Sequence, residues 1–244
     1  MKRKKSALVM LSGGLDSATC LAVAYKSGWS LDYQMFKNLF TVSFDYGQKH
    51  KRELQYAEYL SKKAGALQHF EVPLPSLAFV SKSSSLVNND IDTSAYHPIN
   101  KNLPSSFLPN RNFVMFGLAA SLGYELGATN IFSGVCQTDY DGYPDCRNKT
   151  IEAIEEALSL SLNEKFSIHT PLMYKTKAQT IQLMQSLDLL DWYAHTHTCY
   201  EGKRPPCGKC PACLVRAEGF KEAGLDDPLT VSEQKLSLFE KGIL

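Results

Sequence analysis

No apolar run in the 244 residues approaches the roughly 20 needed to cross a bilayer, so a membrane-spanning protein is not expected. Net charge is nearly absent as well: 26 Lys+Arg against 25 Asp+Glu leave a formal +1. That balance argues against a protein dominated by sequence-independent phosphate contacts, and no nucleic-acid partner is expected. The basic start, MKRKK, is followed by an apolar run that Ser12-Gly13-Gly14 interrupts too early for a signal peptide. There is no internal repeat and no low-complexity tract. The chain contains neither GxxxxGK[ST] nor G-x-G-x-x-G, which sets aside the common triphosphatase loop and weakens a dinucleotide reading.

What is present is globular composition, 44% hydrophobic and 21% charged, at a length that suits one α/β domain with or without a small appendage. The seven cysteines are an odd number without a secretion signal. A disulfide framework is therefore not expected, and the cytoplasm is the default compartment. Cys20, Cys136 and Cys146 are scattered, whereas Cys199, Cys207, Cys210 and Cys213 are close together.

Short apolar runs alternate with helical patterns through the first 185 residues. Residues 7–11 (ALVML), 40–44 (FTVSF), 70–72 and 130–135 (NIFSGV) read as strands, and Ile168 begins another. Helices are expected over 16–26, 51–64, 111–126, 150–162 and 176–187, with a last one reaching Ala223. The fold class is α/β, a parallel sheet with helices on both faces, in which ligands bind at the carboxyl ends of strands. Residues 1–190 form this unit and 191–244 a small cysteine-bearing segment packed on it. Residues 81–106 read as a long polar loop, of a length usually functional or mobile.

Ser12-Gly13-Gly14-Leu15-Asp16-Ser17 joins the first strand to the first helix. Two glycines let the backbone approach a ligand, and hydroxyls and helix N–H groups favour a phosphate there. The same residues also fit a plain Gly-Gly turn with Asp16 or Ser17 as a helix cap. The hexamer resembles the SGGxDS loop of the PP-loop ATP pyrophosphatases. The resemblance implies an ATP site built from Leu11, Ser12, Gly13, Gly14, Leu15, Asp16, Ser17, Ala18 and Thr19, with Asp16 helping to hold Mg²⁺.

Cys199 precedes Cys207, Cys210 and Cys213 at a spacing that lets four thiolates wrap one ion. Zn²⁺ in a closed structural site is the leading reading, with an iron–sulfur cluster and a redox dithiol as the alternatives. His195 and His197 lie nearby as polar or substrate-side residues. Cys20 is read as core.

Further strings then fall into place: FDYGQKH at 44–50, PNRN at 109–112, GVCQTDY at 134–140, GYPDCR at 142–147 and TCYEG at 198–202. Together with the loop and the cysteines, residues 6–228 resemble the 7-cyano-7-deazaguanine synthases, the nitrile-forming family of queuosine precursor biosynthesis. The resemblance implies an adenine nucleotide alpha hydrolase-like, Rossmann-like fold. It also implies ATP-dependent conversion of 7-carboxy-7-deazaguanine and ammonia to the nitrile, through an acyl adenylate and an amide. Asp16, Ser17 and Arg111 are the candidate catalytic residues. Asp139, Tyr143, Asp145 and Arg147 are the candidate deazapurine contacts, with Cys146 as a pocket-lining thiol. Lys49 and His50 are placed either to face the nucleotide or to lie on a solvated helix start. Another PP-loop ligase, amide-forming or tRNA-thiolating, and a zinc-ribbon nucleic-acid module are the competing readings. Related enzymes make a homodimer plausible.

Some positions depart from the family pattern. Asn110 stands where Gly is usual, which matters only if that backbone takes an unusual conformation. Residues 29–38 make an extended connection.

Overall fold

The computed structural model describes residues 6–29, 38–138 and 143–232. Five strands, β1 Ser6–Met10, β2 Asn38–Asp45, β3 Gln68–Pro73, β4 Asn130–Phe132 and β5 Ser167–His169, form one parallel sheet in the order β3-β2-β1-β4-β5. The chain leaves β1 in both directions across the sheet, toward β2 and then toward β4. A crevice therefore opens between the carboxyl ends of β1 and β4, the position at which doubly wound sheets bind ligands.

Alternation along β1 supplies both cores. Ala7 and Val9 face one side, with helices α1 (Leu15–Trp29), α2 (Arg52–Lys63) and α6 (Lys177–Ser186) packed over them through Ala18, Leu21, Ala57, Leu60, Ile181 and Met184. Leu8 faces the other side, where α4 (Arg111–Leu126) and α5 (Asn148–Leu162) bring Phe116, Ala119, Ala120, Ile151 and Ile154. Every one of these residues is buried. A strand covered on both faces needs apolar side chains at consecutive positions, which is why ALVML reads as one continuous run.

Helix and strand bounds follow the sequence expectation to within a few residues, with two larger differences. The first helix runs past Gly28 to Trp29, and residues 30–37 of the extended connection lie outside the described residues. The strand read at 130–135 is only Asn130–Phe132, because Ser133 and Gly134 turn into the crevice, where Ser133 N–H donates to the His169 carbonyl (3.0 Å). A short helix α3 (Pro75–Val80), with proline in its first turn, was not legible as helix, and neither were the 3₁₀ turns Pro144–Cys146 and Leu190–His195. Helix α7 (Pro211–Ala223) follows the cysteines, and Trp192, Tyr193 and Phe220 enter the same core cluster as α1 and α6.

The polar stretch 81–106 is tightly internally bonded. Ser85 N–H donates to the Ser105 carbonyl (2.8 Å), Ser105 Oγ donates to the Asp92 carbonyl (2.7 Å), and Leu86 enters the core. Its buried serines satisfy backbone groups that the lack of regular structure would otherwise leave unpaired.

Asn110 is left-handed (φ 57°, ψ 17°), so the glycine-like conformation is needed there, and Asn is the side chain that tolerates it best. Asn110→Ala is expected to cost about 1 kcal/mol and Asn110→Gly to cost nothing. Denaturant unfolding of both variants checks this.

Candidate active site

The crevice is a cavity of about 320 Å³. Leu11, Ser12, Gly14, Leu15, Asp16 and Ser17 line one wall, and Ser133, Gly134, Val135 and Cys136 come from the loop after β4. Tyr46, His50, Glu53, Arg111, Tyr143, Cys146, Lys177, His197 and Arg216 are among the other lining residues.

The loop after β1 is closed by its own hydroxyls. Ser17 Oγ accepts from Ser12 N–H (3.2 Å) and donates to the Gly14 carbonyl (3.1 Å), while Ser12 Oγ accepts from Gly14 N–H (3.3 Å). Gly13 has φ +86°, and a Cβ there would stand 2.2 Å from the Glu53 carbonyl oxygen. Its own carbonyl accepts from His197 N–H (2.8 Å). At Gly134 a Cβ would come within 3.0 Å of the Asp16 and Ser17 backbone, so only glycine lets the loop after β4 reach the start of α1. The first amides of α1 have no intrahelical acceptor and carry the positive end of the helix dipole, so this wall suits an anion.

Ala18 and Thr19 lie one turn inside α1 and do not line the cavity. Thr19 is fully buried, and its hydroxyl pairs with Tyr193 Oη (2.6 Å) and donates to the Leu15 carbonyl (2.9 Å). Asp16 is gripped by Lys177 Nζ at 2.7 and 2.8 Å. Lys177 begins α6, and the absence of a side chain at Gly219 makes room for its stem. Sequence reasoning missed Lys177. The available signal was a lysine in the first turn of a helix, where the dipole disfavours a cation.

Arg111 sits at the start of α4, hydrogen-bonded to Tyr46 and with its guanidinium 6.0 Å from the Tyr143 ring centre. Burial opposes its charge, but Tyr46, Tyr143, Cys146 and Asp145 outweigh that and hold the cation firmly protonated. Ser106 from the polar stretch pairs with Tyr143 Oη (2.5 Å) and so backs the cavity wall.

The four residues expected to contact substrate are not placed alike. Tyr143 lines the cavity, and Asp139 lies outside the described residues. Asp145 does not line it: Oδ2 accepts from Asn112 N–H (3.0 Å), capping α4 in place of Asn110, whose left-handed backbone gives no side-chain cap. Arg147 is exposed at the N-cap of α5, again away from the cavity. Cys146 does line it, with its thiol pushed up to about 12 by burial, so no nucleophilic thiolate stands there at neutral pH. His50 lines it while Lys49 does not, and Cys20 is core. His195 lies outside, its ring 4.4 Å from that of Tyr59.

Arg216, buried in the middle of α7, ties the last wall together. It binds Asp227 through Nε (2.6 Å) and Nη2 (2.8 Å), and Thr196 and Thr198 through Nη1 (2.7 and 2.9 Å). Just beyond, the sulfurs of Cys199, Cys207, Cys210 and Cys213 all lie within 4.8 Å of one another. The amides of Cys207 and Cys210 donate to Cys199 Sγ (3.4 Å) and Cys207 Sγ (3.3 Å), the pattern that stabilises thiolates facing a metal.

A Ser-Gly-Gly-x-Asp-Ser loop at the switch point of a 3-2-1-4-5 parallel sheet, beside a Cys₄ cluster compatible with a metal, defines a PP-loop, ATP-using class of protein. The chain belongs to the family of queuosine biosynthesis protein QueC, whose model matches residues 6–224. It is similar to proteins named 7-cyano-7-deazaguanine synthase. That of Chromobacterium violaceum is 42% identical over 225 residues, covering 92% of this chain and 93% of the relative. That of Laribacter hongkongensis is 39% identical, covering 94% and 96%. That of Bacillus subtilis is 38% identical, covering 90% and 95%.

Removing the Arg216 side chain leaves the Asp227 carboxylate without its partner in a mostly buried place. Arg216→Met should therefore cost about 3 kcal/mol in urea unfolding, and a loss below about 1 kcal/mol would contradict the network.

Proposed function

We propose that this chain converts 7-carboxy-7-deazaguanine and ammonia to 7-cyano-7-deazaguanine in queuosine biosynthesis, using ATP to activate first the acid and then the amide. The observation that carries this is one cavity shared by the anion-binding loop 12–17 and by Arg111, Tyr46 and Tyr143, in a chain whose relatives bear that enzyme's name. Carboxylate and amide oxygens are poor leaving groups until they carry a phosphoryl or adenylyl group, so two activations are needed for two oxygens lost.

Ser12, Ser17 and the first amides of α1 hold the ATP phosphates. Arg111 orients the substrate carboxylate or a phosphate with a fork of donors that a lysine lacks. Tyr143 and Cys146 flank the ring. Lys177, held against Asp16 at the cavity wall, supplies a cation that can offset the charge gained by a departing pyrophosphate. Mg²⁺, held by Asp16 with the phosphates, would supply charge neutralisation. Asp145 and Arg147 act at one remove, by setting the starts of α4 and α5.

The Cys₄ set suits Zn²⁺. Four sulfurs about 2.3 Å from one ion stand about 3.8 Å apart, and Cys207 Sγ to Cys213 Sγ is 3.9 Å. An iron–sulfur cluster would need its ligands spread more widely around several irons. The metal would fix the turn 199–213 and supply no step of the reaction. In this reading residues 1–190 carry the chemistry and 191–244 brace it, in a cytoplasmic homodimer. A thiolating ligase fits less well, since a formal net charge of +1 does not favour docking a tRNA.

Incubation of metal-loaded protein with 7-carboxy-7-deazaguanine, Mg-ATP and ammonium should give the amide and then the nitrile by mass spectrometry. Neither product would sink the proposal, and amide alone would make the chain an amide-forming ligase. Asp16→Ala should abolish turnover with metal content unchanged. Cys210→Ser should lose the metal, and full metal content in that variant would refute the Cys₄ site.

A further inference from the structure

Among the described residues, two carboxyl groups line the cavity. Asp16 is occupied by Lys177, and the other is Glu53, on the first turn of α2. Glu53 is buried, and Oε1 is fixed from two sides: Gln48 Nε2 donates to it (3.2 Å), and His50 Nε2 stands 3.4 Å away. Gln48 is itself locked, accepting from Tyr46 N–H (2.9 Å) and donating to the Phe44 carbonyl (3.1 Å). Oε2 has no hydrogen-bond partner among the described residues. The Glu53 backbone presses on Gly13 of the phosphate loop. A carboxyl clamped through one oxygen, with the other free beside the site of activation, is built for proton transfer rather than for charge pairing or for two-point binding of a ring edge.

We propose that Glu53 is the proton acceptor of both nitrogen-handling steps, an inference that rests on the function proposed above. In the first step ammonia nitrogen bonds to the acyl carbon, the carbon–oxygen bond to AMP breaks with its electron pair leaving on the phosphate oxygen, and the surplus N–H proton passes to Glu53 Oε2. In the second, activation at oxygen leaves the amide nitrogen with two protons: one passes to Oε2 and on to water, and Oε2 then takes the other as its N–H bond breaks. That bond's electrons complete the carbon–nitrogen triple bond while the activated oxygen leaves with its own pair. Nothing is oxidised or reduced, and the carboxyl returns each proton to water.

The surroundings suit the task. The groups facing Glu53 are Tyr46 and His50 from the loop after β2 and Arg111 from α4. Burial pushes the Glu53 carboxyl up to about 8, against the opposing pull of Gln48 and Arg111, while burial pushes His50 down to about 3 and keeps it neutral. A base that titrates near neutral pH couples ready ionisation to useful basicity.

Glu53→Gln keeps the shape and the Gln48 contact but cannot accept a proton. In single turnovers with 7-carboxy-7-deazaguanine and Mg-ATP without ammonium, the variant should still release pyrophosphate. With ammonium added, amide and nitrile formation should fall about 100-fold. At matched free ammonia, wild-type product formation should rise with pH and level off above about 8, and the variant's residual rate should be flat across that range. Glu53→Ala should regain part of its product formation with added formate. Equal loss of pyrophosphate release and product, or an unchanged pH profile in Glu53→Gln, would overturn the assignment. A wild-type protein that releases no pyrophosphate with the acid would instead overturn the proposed function, whatever the variant does.

Discussion

Three separate stretches of chain converge on Gly13. The residue closes the turn after β1, lies against the Glu53 carbonyl of α2, and accepts the amide of His197 from the segment that leads into the cysteines. Any side chain at this point would collide with backbone, and the positive φ would strain it as well. Because the contact is backbone to backbone, the phosphate loop cannot shift without moving α2 or the 196–198 segment. The cavity is therefore held rigidly from two sides before any ligand arrives, which is the condition for charge stabilisation without reorganisation.

The same rigidity explains how so many ionisable groups are kept at low exposure. Arg216 is matched by Asp227 and two threonine hydroxyls, Lys177 by Asp16, and Arg111 by tyrosines. Each cation is satisfied by groups from a different element, so the charges also fasten α7, α6 and α4 to the loops they touch. Among the described residues, Glu53 has no such cation in contact. It rests on neutral Gln48 and His50, and that asymmetry separates it from Asp16 across the cavity.

Much of the architecture was open to inspection in the linear chain. Continuous apolar runs such as ALVML mark strands covered on both faces, and the 3.6-residue pattern with Gly65 and Gly127 after the helices places α2 and α4. The four cysteines and the Ser-Gly-Gly loop are contiguous, so their chemistry is local. Residues whose role comes from a distant neighbour were less legible. Arg216 looks like any helical arginine, and Glu53 like an ordinary acid that complements a helix dipole. Asp145 and Arg147 sit in the most suggestive string of the sequence, yet serve helix starts rather than the cavity.

Fold class, the glycine turn after β1 and the Cys₄ cluster can be read from the linear chain, because periodicity, glycine placement and close ligand spacing are all properties of neighbouring residues. Which side chains share the cavity follows from the packing of distant segments. Lys177 reaches Asp16 across 161 positions, and Thr19 meets Tyr193 across 174. Such pairings depend on sheet order and helix packing, which bring together side chains that no local pattern connects. The same packing desolvates Glu53, and desolvation rather than residue type sets its proton affinity.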